Sequence, residues 1–263
     1  MSFSDQTKFW NERFNKEEFI FGKEPNEYLV KQSKQYLKPG NAVLCIADGE
    51  GRNGVWLAKQ GMQVDAFDVS DIALAKAKQF AKDNSVELSH TLCDTDGWNW
   101  QANSYDAIIA IFIQFADPAM RERIFKQVYL ALKPGGIFIL QGYTPKQLEY
   151  KTGGPSALEH LYTEEGIRQL ASELNILDLT SYEQELSEGA RHSGMSALLG
   201  LVAQKPSWIK PKPVQLKISY ESAVDRWWGA VAWCESCFHP TQDTLIYQYQ
   251  AIGALLLPLR LPK

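Results

Sequence analysis

Cysteine is scarce in this sequence, and long apolar runs are missing. Four cysteines in 263 residues are too few and too scattered for the disulfide framework of a secreted protein. The longest apolar run, at 251–257, is too short to span a bilayer. Residues 1–14 are polar and aromatic and lack the apolar core of a signal peptide. We therefore expect a cytoplasmic protein that does not bind membranes.

A marked excess of either charge is also missing. The chain has 27 Lys and Arg against 31 Asp and Glu, a net charge of −4, and this balance lacks the basic footprint of a nucleic-acid-binding protein. Hydrophobic residues at 45% and charged residues at 22% are typical of a soluble globular enzyme. We expect a small-molecule partner and no nucleic-acid partner.

The sequence does contain a strand–turn–helix pattern near its beginning. A short apolar run at 43–46 is typical of a buried strand. The turn after it contains Gly49 and Gly51, and a helix-length segment then ends at Gly61. Glycines let a backbone bend sharply and approach a ligand, and the next helix offers free N–H groups at its N-terminus. The pattern predicts half of a βαβ unit with a ligand at the turn.

An aspartate after the second apolar run indicates the kind of ligand. Val64, Ala66 and Phe67 lead into Asp68, which follows Gly49 by roughly twenty residues. An acid at this place can accept hydrogen bonds from both hydroxyls of an adenosine ribose. The sequence therefore predicts a nucleoside cofactor.

The remaining pattern predicts a doubly wound α/β sheet. Apolar runs ending near Asp94, Phe112 and Leu140 predict three further parallel strands, separated by helix-length segments. Two β-prone runs at 176–186 and 195–204 predict a closing hairpin. The expected sheet has seven strands, five parallel plus a hairpin with one antiparallel strand, and helices on both faces.

An ordered series of motifs runs from Phe9 to about Lys205. It consists of FWNERF at 9–14, FGKEPN at 21–26, GEGRN at 49–53, FDVS at 67–70, LKPGG at 132–136, GYTP at 142–145, YKTGGP at 150–155 and EGARHSG at 188–194. In this series the sequence resembles the class I S-adenosylmethionine-dependent methyltransferases, specifically their tellurite-resistance and thiopurine-methyltransferase-like branch. The resemblance implies a Rossmann-like methyltransferase fold, S-adenosyl-L-methionine as cofactor, and methyl transfer to a small thiol or chalcogen (selenium or tellurium) compound.

The resemblance also implies which residues hold the cofactor. Asp68 would take the ribose, Asp94 the adenine edge, and the backbone after the fourth strand the methionine end. Loop 21–26, which has neither helical nor strand periodicity, can close over the ligand. The expected cofactor-binding residues are Trp10, Gly22, Ala47, Asp48, Gly49, Gly51, Asn53, Asp68, Val69, Cys93, Asp94, Ile111 and Phe112.

The first strand departs from the pattern of the family that the sequence resembles. Cys45 replaces the usual acid within this strand, and Ala47 occupies the first glycine position. Asp48 or Glu50 would therefore have to take over any interaction with the ammonium group of the cofactor.

Proton transfer has one strong candidate. Gln114 and Gln141 stand where relatives often carry titratable side chains, which leaves His192 and its neighbour Arg191 in the hairpin loop. A soft sulfur, selenium or tellurium nucleophile needs little base catalysis, whereas an oxygen nucleophile needs a base in reach. We expect His192 to accept a proton or donate a hydrogen bond, and Arg191 to hold an anionic substrate. The expected substrate-contacting residues are Phe14, Phe21, Gln114, Phe115 and Tyr143, and no metal is expected.

The composition suggests a two-part chain. Residues 1–205 form the expected methyltransferase domain, with 1–41 as an N-terminal cap. Prolines mark a connector into 206–263, which we expect to be a small helical extension and a possible homodimer contact. Cys234 and Cys237 form a C-x-x-C pair that lacks the second half of a metal site.

Two other functions are left open by the residues themselves. Gly49 to Gly54 satisfy G-x-G-x-x-G, which also fits an NAD-dependent oxidoreductase, although the closing hairpin favours the methyl donor. Cys45 and the missing titratable groups fit a nucleoside-binding regulatory protein without catalysis.

Overall fold

A computed structural model describes residues 3–189 and 192–207 of the chain. Residues 1–2, 190–191 and 208–263 lie outside the described residues. Arg191, the Cys234 and Cys237 pair and the predicted C-terminal helices belong to this outside set, so the expectations for them stay predictions.

Seven strands form a single sheet. They are β1 (Ala42–Ile46), β2 (Gln63–Asp68), β3 (Ser89–Leu92), β4 (Tyr105–Ile111), β5 (Leu132–Tyr143), β6 (Asn175–Glu188) and β7 (His192–Gln204). Their order is β3-β2-β1-β4-β5-β7-β6. Strands β1 to β5 are parallel, and β7 runs antiparallel to both of its neighbours. This arrangement confirms the predicted Rossmann-like methyltransferase fold.

Helices connect the strands. They are α1 (Phe3–Phe14), α2 (Glu27–Tyr36), α3 (Arg52–Lys59), α4 (Asp71–Asp83), α5 (Pro118–Ala131), α6 (Gln147–Tyr150) and α7 (Glu164–Leu170), with a 3-10 turn at Leu158–His160. Helices α2, α4, α5 and α7 begin at polar caps whose side chains accept hydrogen bonds from backbone N–H groups. Within the described ranges, no helix has both the length and the apolar character needed to cross a membrane.

Two boundaries differ from those that the sequence predicts. The alternation of Val86, Leu88 and Leu92 predicts a strand from 86, whereas β3 begins at Ser89. The proline and glycines of the LKPGG segment predict a turn between α5 and the fifth strand, whereas β5 begins directly after α5 and includes this segment. Gly135 donates its N–H to the carbonyl of Lys205 over 2.9 Å, and Lys205 donates back to Gly136 over 2.9 Å. This long-range pairing keeps the two glycines in the strand although Gly135 has a φ of 80°, and local turn chemistry does not reveal it.

The core occupies both faces of the sheet. Ile108 of β4 packs in a cluster with Ile124 of α5 and Phe138, whereas the next residue, Ile109, packs on the opposite face with Leu29 and Leu57. Successive side chains of a strand point to opposite faces, so an unbroken apolar run in β4 serves both clusters.

The carboxyl ends of β1, β2 and β4 lie at one edge of the sheet because these strands are parallel. The strand order reverses between β1 and β4. Ligands of open α/β sheets bind outside the carboxyl ends at such a switch point. The fold therefore places the candidate site at this edge.

Candidate functional site

The turn after β1 has a backbone that favours glycine. Ala47, Gly49 and Gly51 have φ values of 50°, 59° and 86°. A Cβ atom on Gly51 would lie 2.8 Å from Cβ of Ala77 in α4, closer than non-bonded carbon atoms approach. Gly51 thus allows α3 and α4 to converge, and the turn leads into the N-terminus of α3.

Asp68 ties this turn to the start of α4. Its Oδ2 accepts a hydrogen bond from the N–H of Gly49 over 3.0 Å, and its Oδ1 accepts one from the N–H of Ser70 over 2.9 Å. Burial raises the pKa of Asp68 to about 6, although the backbone donors act in the opposite direction. A carboxylate has about four acceptor sites, so each oxygen can accept a further hydrogen bond.

The two other acids at the turn have different partners. Both carboxylate oxygens of Asp48 lie 3.2 Å from the backbone nitrogen of Gly54, and burial raises the pKa of Asp48 to about 7. Glu50 accepts hydrogen bonds from the backbone N–H of Ile20 over 2.8 Å and from Nζ of Lys76 over 2.7 Å. Glu50 therefore binds the N-terminal segment, whereas Asp48 makes its contacts within the turn after β1 and the start of α3.

The expected adenine edge follows β3. The N–H of Cys93 donates to the carbonyl of Asp68 over 3.1 Å, and Oδ1 of Asp94 accepts from the N–H of Gly97 over 2.7 Å. Burial raises the pKa of the Cys93 thiol to about 11, which keeps it neutral. The carboxyl end of β3 therefore lies next to Asp68, and this brings Cys93 and Asp94 beside it.

Residues 3–26 cover the glycine turn, and we call them the N-terminal lid. Phe14, which is 2% exposed, contacts the turn so closely that a Cβ on Gly49 would lie 3.3 Å from its ring. The Trp10 ring stacks on Phe14 with 5.8 Å between centroids. At the end of the lid, the N–H of Asn26 donates to Oδ1 of Asn53 over 2.9 Å. The lid therefore contacts the residues expected to bind the cofactor.

The lid also meets the hairpin between β6 and β7 through two glycines. A Cβ on Gly189 would lie 2.5 Å from the nitrogen of Gly22 and 2.6 Å from the carbonyl oxygen of Ile20. Both glycines have a φ of 73°. Since the clash would be with backbone atoms, no other residue at 189 allows this approach.

Four rings from separate parts of the chain pack together, and we call this cluster of Phe21, Phe112, Tyr143 and His192 the aromatic pocket. The His192 ring centroid lies 4.6 Å from that of Phe21, 4.3 Å from that of Phe112 and 5.7 Å from that of Tyr143. Phe112 has a φ of 56°, an unusual backbone for a bulky side chain, and its N–H donates to the carbonyl of Gln141 over 2.8 Å. Strained backbone of this kind clusters at functional sites.

A buried ion pair lies beside the aromatic pocket. Nη2 of Arg52 lies 2.8 Å from Oε2 of Glu188, and Asn26 donates to Oε1 of Glu188 over 2.9 Å. Nδ1 of His192 lies 3.9 Å from the same Oε2 and has no hydrogen-bond partner among the described residues. Burial lowers the pKa of His192, and Glu188 partly offsets this. His192 is thus a neutral imidazole near neutral pH.

Other expected site residues lie farther from this pocket or are engaged elsewhere. Nε2 of Gln114 donates to the carbonyls of Tyr143 and His160 over 2.9 Å each, and its Oε1 accepts from the N–H of Tyr143 over 2.6 Å. Phe115 packs against the core cluster on the α5 face. Val69 and Ile111 are half-buried at the ends of β2 and β4. The described residues contain no group of three His, Cys, Asp or Glu side chains arranged to hold a metal ion.

Three residues of the site are missing from the set that the sequence predicts: Asn26, Arg52 and Glu188. Each lies inside one of the quoted motifs, and each is buried. The signal that the sequence offers is that each of the three is a polar or charged residue within a quoted motif. Their association was hidden because they are far apart in the chain.

Comparisons with known proteins match this chain to methyltransferases. Residues 43–136 match the family model described as a methyltransferase domain. Phosphoethanolamine N-methyltransferase 2 from Caenorhabditis elegans is 26% identical over 165 residues, which cover 57% of this chain and 37% of that protein. The chain thus spans well under half the length of this curated relative.

Solved structures share the fold. One of them is described as showing conversion of a disulfide bond into a thioacetal group during echinomycin biosynthesis. Its TM-score is 0.65 at 14% sequence identity, and the match covers 78% of this chain and 94% of the other chain. Phosphoethanolamine N-methyltransferase 2 from Haemonchus contortus, solved with S-adenosyl-L-methionine, has a TM-score of 0.57 at 20% identity. This match covers 78% of this chain and 60% of the other chain.

The match over residues 43–136 and the shared fold support the resemblance to class I S-adenosylmethionine-dependent methyltransferases. The tellurite-resistance and thiopurine-methyltransferase-like branch stays a prediction.

The glycine contact between lid and hairpin leads to a first prediction. Gly189→Ala places a methyl group against lid backbone, so we expect faster tryptic cleavage after Lys16 and Lys23, read by mass spectrometry. Gly40→Ala is the matched control, because Gly40 also has a positive φ of 86° but no atom within 4 Å of an added Cβ. Equal cleavage of the two variants would contradict a lid held by this contact.

The raised pKa of Asp48 leads to a prediction about stability. The unfolded pKa is about 3.9, so the folded chain retains this proton between pH 4 and its own pKa of about 7. The free energy of unfolding should therefore fall as pH rises through this window, by about 1.4 kcal/mol for each unit of pKa shift at most. Asp48→Asn should flatten this part of the curve in urea titrations at pH 5 to 8. Asp83→Asn, at the exposed end of α4, should leave it unchanged, and parallel curves for all three proteins would contradict the assignment.

Proposed function

We propose that this chain, whose residues 43–136 match a methyltransferase domain, uses S-adenosylmethionine to transfer a methyl group to a thiol or chalcogen compound. One observation carries the proposal: Asp68, an acid suited to an adenosine ribose, and the aromatic pocket around His192 both lie at the carboxyl edge of the parallel strands.

The residues present fit the cofactor. Asp68 keeps an acceptor site on each carboxylate oxygen for the two ribose hydroxyls. Gly49 and Gly51 keep side chains away from the turn, and the N-terminus of α3 opens onto it. Asp48, in the turn itself, is the acid placed to accept a hydrogen bond from the ammonium group.

When bound, S-adenosylmethionine supplies a methyl group on a positively charged sulfur. The role of the protein is to align an acceptor with that methyl and to exclude water. Phe21, Phe112 and Tyr143 supply apolar walls, and the lid covers the cofactor turn from the solvent side. The sulfonium charge disappears during transfer, so an apolar pocket favours the reaction.

The acceptor has to be argued from the pocket, since the relatives differ. The nematode proteins are named for phosphoethanolamine, whereas the echinomycin structure concerns a disulfide-derived sulfur. Arginine is a common partner of phosphate groups. Among the described residues beside His192, the Arg52 guanidinium is already paired with Glu188, and this pairing makes it less available to a phosphorylated amine.

The cofactor role of Asp68 gives a direct binding test. Asp68→Ala removes the ribose acceptor, so we expect the affinity for S-adenosylhomocysteine to fall by about tenfold or more, measured by isothermal titration calorimetry. Asp83→Ala, an exposed aspartate at the far end of α4, is the control and should bind as the wild type does. Unchanged affinity in Asp68→Ala would place the cofactor elsewhere.

The acceptor class is tested by turnover. S-adenosylhomocysteine formation is measured with 2-mercaptoethanol, benzenethiol, selenite, tellurite and phosphoethanolamine as separate acceptors. We expect product with the thiols or the chalcogen compounds. Product with phosphoethanolamine alone would overturn the acceptor class, and no product with any acceptor would favour a protein that only binds the nucleoside.

A further inference from the structure

Glu188 lies where buried contacts from four parts of the chain meet. It ends β6, His192 begins β7, Arg52 opens α3 directly after the glycine turn, and Asn26 ends the lid. The four residues are 0% to 8% exposed. A carboxylate at this depth is costly unless it is paired and hydrogen-bonded, and Glu188 is both.

The pairing with Arg52 leaves one contact of Glu188 unexplained. The ion pair is complete at 2.8 Å, yet the same oxygen also faces Nδ1 of His192 at 3.9 Å. This separation is too long for a hydrogen bond, and a small movement of either side chain would form one. Catalytic hydrogen bonds are often long before the reacting complex assembles.

We propose that Glu188 is a positioning residue for the acceptor site, which orients His192 and balances the positive charge that the imidazole gains when it takes the proton of the acceptor. Arg52 fixes Glu188 relative to the cofactor turn. The inference rests on the proposed function, in which His192 faces the acceptor.

The surroundings of His192 explain why a positioning residue is needed. Rings of Phe21, Phe112 and Tyr143 contact the imidazole, and none of them can stabilise a proton on it by charge. Arg52 disfavours that proton, as do the apolar walls. Glu188 is the facing group that favours it, because burial of an unpaired imidazolium would be costly.

With an alkyl thiol as the acceptor, the reaction transfers one proton to His192 and one methyl group to the thiol sulfur. The thiol proton passes to the imidazole of His192, and the sulfur electron pair forms the new carbon–sulfur bond. The bond from the methyl carbon to the donor sulfur breaks with its electron pair left on that sulfur, which becomes the neutral thioether of S-adenosylhomocysteine. His192 then releases the proton to solvent. An aromatic thiol, already ionised at neutral pH, omits the first transfer.

This difference between thiols supplies the experiment. In Glu188→Gln we expect kcat with 2-mercaptoethanol to fall by about 10- to 100-fold, less than the full contribution of general-base catalysis, roughly 100- to 10,000-fold, because His192 itself remains. The rate with benzenethiol should change by less than about threefold, because no proton is transferred. Equal losses with both thiols would show a structural role for Glu188 and overturn the proposal.

Two readouts do not depend on turnover. The His192 imidazole, assigned in NMR spectra with His192→Asn, should have a lower pKa in Glu188→Gln than in the wild type, since Glu188 raises it. The affinity for S-adenosylhomocysteine should stay within about twofold, because glutamine has the size of glutamate and keeps an oxygen that can accept from Arg52, the residue that follows the glycine turn. An unchanged His192 pKa would overturn the proposal, whereas a wild type inactive with every acceptor would instead overturn the proposed function.

A double variant separates positioning from folding. Glu188→Gln leaves the Arg52 charge buried without a full partner, which lowers stability. Replacing both residues by methionine removes the charges together, and such apolar replacements often preserve or raise stability. We expect Arg52→Met/Glu188→Met to regain the melting temperature lost in Glu188→Gln without regaining the 2-mercaptoethanol rate. Recovery of both together would overturn the positioning role.

Discussion

The carboxylate of Asp68 is the contact on which the arrangement of the site depends. It accepts one backbone N–H from the glycine turn after β1 and another from the start of α4. These two segments leave neighbouring parallel strands, and a single buried side chain fixes their spacing. The same carboxylate is the group that we propose to bind the ribose. The packing of the turn and the proposed cofactor contact therefore depend on one side chain.

Much of this edge was predictable because its signals are local. Gly49, Gly51 and Asp68 follow apolar runs at the spacing that a βαβ unit imposes, and the parallel sheet then brings them together. The closing hairpin was predictable for a similar reason, since two β-prone runs flank a polar loop. The register of β5 was not, because its first residues are held in the strand by pairing with Lys205, about seventy positions away.

The acceptor side was only partly predictable. The sequence analysis expected His192, Phe21 and Tyr143 on the acceptor side and Phe112 at the cofactor. The direct contacts of the three rings with His192 are not evident from the sequence, because the residues lie far apart along the chain. Glu188 was read only as part of a motif, because its role depends on Arg52 from a helix 136 positions earlier. Contacts of this kind arise from the fold as a whole, and short-range patterns carry no trace of them.

The lid contacts both halves of the site. Phe14 lies on the glycine turn, while the ring of Phe21, from the same segment, lies 4.6 Å from that of His192. Gly22 of this segment also meets Gly189 of the hairpin. One continuous stretch of chain is therefore shared by the two halves, so displacing it would uncover the turn and remove a ring from beside His192 in a single event.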